Sequence, residues 1–66
     1  MKFEKGDMVK WFELYGDMHV VRNSGLGLIV STSSQRVHGY DYNVYKVYRI
    51  KEQDEAMYSE EQIEKV

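Results

Sequence analysis

Apolar and polar residues along the chain group into short runs suited to strands, separated by glycine and polar clusters. The run Met8-Val9-Lys10-Trp11-Phe12-Glu13-Leu14 holds Val, Trp and Phe and carries no helical punctuation. It predicts a strand with Val9 and Trp11 on one face. Tyr15 to Asn23 lies between the turn signals Gly16-Asp17 and Asn23-Ser24-Gly25. It reads as a long loop or an irregular hairpin, with Val20 and Val21 able to form a short strand. Gly25 to Thr32 (GLGLIVST) is a second strand, and its two glycines mark a bulge or a close approach of another backbone.

Ser33 to Asp41 contains Ser-Ser-Gln and His-Gly and predicts a mobile hairpin tip. Tyr42 to Lys51 is the strongest strand pattern, rich in Tyr and Val with Lys and Arg between the apolar positions. Alternation sets Tyr45 and Val47 on one face, and Tyr42, Val44, Lys46, Tyr48 and Ile50 largely on the other. Glu52 to Glu55 is a polar turn and Ala56 to Ser59 a short strand. Glu60 to Gln62 is a tight helical turn, and Ile63 to Val66 a last strand. A rival reading makes 59–66 a C-terminal helix, since Ser59 and Gln62 fit a capping box and Glu60 and Glu61 suit a first turn. Eight residues form a marginal helix, which favours one turn followed by a strand.

The expected fold is therefore all-β: one domain over 1–66, a small five-stranded barrel with a short helical turn before its last strand. Closing the sheet on itself removes exposed edges. The residues Lys5-Gly6-Asp7-Met8-Val9, Gly25-Leu26-Gly27-Leu28-Ile29-Val30, Tyr45-Lys46-Val47 and the closing Tyr58 to Val66 resemble the SH3-like barrel superfamily, which includes SH3, KOW-type and Sm-like domains. The same pattern resembles short uncharacterised proteins of tailed phages, especially marine ones. The resemblance covers most of the chain except 33–41 and bears on fold more than on role, because such barrels host many functions. The signature residues of peptide-binding SH3 domains and of uridine-binding Sm proteins are absent.

Composition narrows the chemistry. The chain has 66 residues, 42% of them hydrophobic and 14% aromatic, with neither cysteine nor proline. It is globular, and disulfides and thiolate zinc sites are excluded. No cofactor is implied. No apolar run approaches the roughly 18 residues that cross a membrane. The opening residues lack the apolar core of a signal peptide, and the lack of cysteine suits the cytoplasm, that of the host cell if the chain is phage-encoded.

Net charge is −2 and unevenly spread. Residues 30–51 hold Arg36, Lys46, Arg49 and Lys51 against Asp41, whereas residues 52–66 hold six acids against Lys65. A local basic patch is thus permitted in a chain that is acidic overall. Tyr40, Tyr42, Tyr45 and Tyr48, interleaved with Lys46 and Arg49, suit either a protein-binding face or the stacking of bases. The bland alternative is that tyrosine is simply a good strand residue.

The candidate binding surface is Tyr42, Tyr45, Lys46, Tyr48, Arg49, Arg36 and Trp11, although Trp11 reads first as a core anchor and only second as part of a ligand groove. The expected partner is protein or a second copy of the chain, with nucleic acid as the alternative, and no small-molecule substrate is expected. Gly25-Leu26-Gly27 is no nucleotide loop, since position 30 is Val. His19 and Asp17, with Glu13 nearby, are the residues for acid–base chemistry, but no nucleophile setting accompanies them. Glu60, Glu61 and Glu64 read as a solvated face, not a metal site.

Overall fold

The computed structural model describes residues 2–15 and 20–66. Five strands form a single antiparallel sheet: β1 (Met8–Tyr15), β2 (Val20–Val37), β3 (Tyr40–Arg49), β4 (Asp54–Ser59) and β5 (Ile63–Lys65). A 3-10 turn, Glu60–Gln62, separates β4 from β5. The order across the sheet is β4-β3-β2-β1-β5. The all-β class and the helical turn before the last strand agree with the sequence, and the helical alternative for 59–66 does not form. The main-chain N–H and the hydroxyl of Ser59 both donate to Gln62 Oε1, at 3.1 and 3.3 Å, and fix that turn.

The sheet is not closed into a barrel, which corrects the expected closure. β5 is three residues long and pairs only with β1, and β4 pairs only with β3. Side chains of β1 and β4 meet across the interior instead. Trp11 of β1 stacks on Tyr58 of β4, with ring centroids 5.8 Å apart and planes at 15°. Every strand sends residues to that interior: Val9 and Trp11, Ile29, Tyr45 and Val47, Tyr58, and Ile63, with Phe3 from the lead-in. Phe3 meets Tyr45 edge-on at 5.4 Å.

Elements differ from expectation mainly in β2. It is 18 residues long, absorbing both the short strand at Val20 and the segment expected to be a mobile tip. The β2–β3 ladder continues to Val37↔Tyr40, and His38 and Gly39 turn the chain with φ of 51° and 82°. Two successive positive φ values define the two-residue hairpin turn whose twist matches its strands. Gly39 accepts that conformation without steric cost. The strand glycines mark close approach, not bulges: the irregularities lie at Glu13/Leu14 and Ile29/Ser31. A Cβ on Gly27 would overlap Val47 Cγ1 and lie 2.8 Å from the Tyr48 carbonyl oxygen. A Cβ on Gly25 would lie 2.8 Å from the Trp11 ring.

Candidate interaction surface

Pleating sorts the tyrosine strand onto two surfaces. Tyr45 and Val47 are fully buried, so Tyr45 does not belong to an accessible binding surface. Trp11 is likewise 1% exposed and serves as the core anchor, covered by Gly25, Tyr58 and Arg49. Large aromatic surfaces are worth most where they are removed from water, which is why the interior of so small a sheet takes them.

Tyr42, Lys46 and Tyr48 lie on the outer face. There the register aligns Met8, Leu28, Tyr48 and Glu55 in one row across β1 to β4, with Lys46 beside Met57 in the next. Tyr42 and Tyr48 are 52% and 36% exposed, and Leu26, Leu28, Met8, Met57 and Ile50 are exposed with them. Further along β3, Tyr40 pairs with Val37, Tyr42 with Gln35 and Val44 with Ser33 on the same face. An apolar strip, interrupted by Lys46, thus follows β3 from the hairpin turn to Ile50. Leu26, Leu28, Met8 and Met57 were not singled out in the sequence, because each belongs to a different strand and only the register brings it beside the tyrosines. Next to the strip, Ser24, Gly25, Leu26, Ile50, Lys51 and Glu52 line an open depression of about 280 Å³.

The two arginines are engaged elsewhere. Arg36 lies on the opposite face of the hairpin from Val37 and Tyr40, where its Nε donates to Asp41 Oδ1 at 3.1 Å. Arg49 projects inward at the open end of the core. Its guanidinium lies 5.1 Å from the Trp11 ring centroid, a cation–π contact. It donates to Asp54 through both Nε, at 2.6 Å, and Nη2, and lies 3.5 Å from Glu13 Oε2. Asn23 Nδ2 donates to Glu13 Oε1 at 3.2 Å.

Arg49 holds the Asp54 carboxyl below the usual carboxylate range. Burial pushes the Tyr58 phenol up. The arrangement is a charge-satisfied lid over Trp11, with hydrogen-bond partners but no activated nucleophile. His19 and Asp17 lie outside the described residues. Among the described residues no group of three or more His, Asp or Glu is placed to hold a metal ion. Among the described residues no helix is long and apolar enough to cross a membrane. Comparison with protein-family models, with curated proteins and with solved structures finds no match.

Proposed function

We propose that this chain is a non-catalytic interaction module of the SH3-like kind. It binds protein, or a second copy of itself, through the outer face of its tyrosine-bearing strand. On its resemblance to short tailed-phage proteins, it acts in the cytoplasm of an infected cell. The order of the strands supports a curled sheet that stops short of closure. β4 and β5 are the two edges of the sheet yet are consecutive in the chain. A 3-10 turn rises only about 2 Å per residue, so three residues tie the edges together and curl the sheet around the Trp11–Tyr58 stack.

The observation that carries the functional reading is the apolar strip: Tyr40, Tyr42, Tyr48 and Ile50, bordered by Leu26, Leu28, Met8 and Met57, all at least 36% exposed. Exposed apolar residues gathered on one face of so small a domain mark a contact site, and tyrosine is enriched in such sites. The nucleic-acid alternative draws less support. Of Arg36, Lys46 and Arg49, only Lys46 shares the tyrosine face, and both arginines are paired with carboxylates.

The test compares wild type with a Tyr42→Ser/Tyr48→Ser/Ile50→Ser variant as baits, followed by binding assays with the purified captured protein. The proposal expects capture by wild type and at least about a tenfold loss of affinity in the variant. Undiminished binding by the variant refutes this face. Binding to a mixed RNA and DNA pool that weakens steeply with salt replaces the proposal with the nucleic-acid reading.

A further inference from the structure

The second half of β2 has a free edge, which neither the sheet nor the tyrosine face uses. β1 pairs with β2 only as far as Leu28, and the lead-in adds bonds between Ile29 and residues Gly6 and Asp7. From Ser31 to Val37 the strand pairs with β3 on one side only, with no other backbone partner among the described residues. Val37 and Tyr40 flank a two-residue turn and so exchange hydrogen bonds with each other. Alternation then turns the N–H and C=O groups of Thr32, Ser34 and Arg36 away from β3. Three residues thus present a continuous row of unpaired donors and acceptors at an exposed edge.

Natural sheets blunt such edges with proline, lysine, inward charges or a bulge. Between Ser31 and Val37 this edge has no proline, no lysine and no bulge, and it carries a single charge. The chain contains no proline, the bulge lies before Ser31, and the one charge, Arg36, is matched by Asp41.

We infer that this edge pairs with the same edge of a second copy, antiparallel about Ser34, to join two sheets into one. An antiparallel strand pair has the two-fold symmetry a homodimer needs. About that axis Ser34 faces Ser34 and Thr32 faces Arg36, so no like charges meet, and cross-strand Ser/Thr pairs are favourable. The opposite edge of the hairpin is unsuited to self-pairing. Beyond Val44↔Ser59 the free stretch of β3 carries Asp41 and is flanked by Glu60 and Glu61. Two copies meeting there would bring the Glu60 and Glu61 carboxylates of each toward those of the other. The inference rests on edge geometry and is independent of the tyrosine face.

The test is sedimentation of the full chain across a wide concentration range, for wild type and Ser34→Pro, with hydrogen exchange of individual amides. Proline at 34 removes an N–H that faces outward and leaves the β2–β3 ladder intact. A concentration-dependent dimer is expected, with Ser34→Pro raising its dissociation constant by at least about tenfold. In wild type, the amides of Thr32, Ser34 and Arg36 gain protection with concentration while those of Asp41 and Asn43 do not. That exchange pattern stands even if the proline variant fails to fold. A monomer at every concentration overturns the inference, as does a dimer that protects Asp41 and Asn43 instead. The Tyr42/Tyr48/Ile50 variant separates the two ideas: if it loses the partner but keeps the dimer, both hold, and if it loses the dimer while Ser34→Pro keeps it, the edge is not the contact.

Discussion

Replacing Gly27 with alanine adds a single methyl group to a place with no room for it. The new carbon would overlap Val47 Cγ1 and approach the Tyr48 carbonyl oxygen to 2.8 Å. Neither neighbour yields easily. Val47 is fully buried and, being β-branched, is stiff at χ1. The Tyr48 carbonyl belongs to the ladder that pairs Leu28 with Tyr48. Relief requires an off-rotamer valine or a local separation of β2 from β3. Overpacking of this kind costs about 1–3 kcal/mol. Against it stands a gain of about 0.5–1 kcal/mol from removing glycine from a strand interior.

The net expectation is a destabilisation of about 1–2 kcal/mol, or a fall in Tm of about 5–15 °C for a domain of this size. Urea titration followed by circular dichroism measures it, and the Gly27→Ala/Val47→Ala double variant apportions it. Removing the Val47 methyls relieves one of the two contacts, so the double variant loses less than the sum of the single ones. Wild-type stability in Gly27→Ala would falsify the packing argument, because an alanine there would then have found space that the register denies.

Other consequences are equally specific. The Tyr45 hydroxyl is buried with no hydrogen-bond partner among the described residues, so Tyr45→Phe leaves stability unchanged or raises it by up to about 1–2 kcal/mol; a clear loss in the same urea assay contradicts that environment. Asp54 has a depressed pKa when folded, so the stability it shares with Arg49 is present above the unfolded value near 3.9 and is lost as pH falls toward the folded one. Acid titrations of wild type and Asp54→Asn should therefore diverge above that range and converge below it, and parallel curves would remove the ion pair from the account. Tyr58 is raised, chiefly by burial, so its contribution is complete below the unfolded pKa near 10 and is lost as pH climbs through the folded one. Ultraviolet titration of Tyr58→Phe against wild type should show the late-ionising phenol missing, and loss of an early-ionising one would be the contrary result.

The strand pattern of this chain was legible wherever apolar residues alternated. β3 and the core pair Tyr45 and Val47 followed from periodicity, and the turn-then-strand at the C-terminus from the shortness of any helix that could form there. The β2 extension was not, because Ser33, Ser34, Gln35 and Arg36 carry no apolar signal and pair through their backbones in a solvated ribbon. The fate of Arg49 was also hidden. Its sequence neighbours mark it as a surface cation, and only the register that sets it opposite Gly27 and Asp54 turns it inward over Trp11. The apolar strip was half visible: alternation along β3 placed Tyr42 and Tyr48 together, but Leu28 and Met8 join them only through pairing across strands.

That division of faces is open to a direct measurement. In the complex with the purified protein that the wild-type bait retains, cross-saturation from the partner to methyl groups of the chain reports which side chains touch it. The account predicts attenuation at Met8, Leu26, Leu28, Ile50 and Met57, with Val9, Ile29, Val47 and Ile63 unaffected. Attenuation confined to other surfaces, with the outer-face methyls untouched, would contradict the assignment of this strand as the binding face.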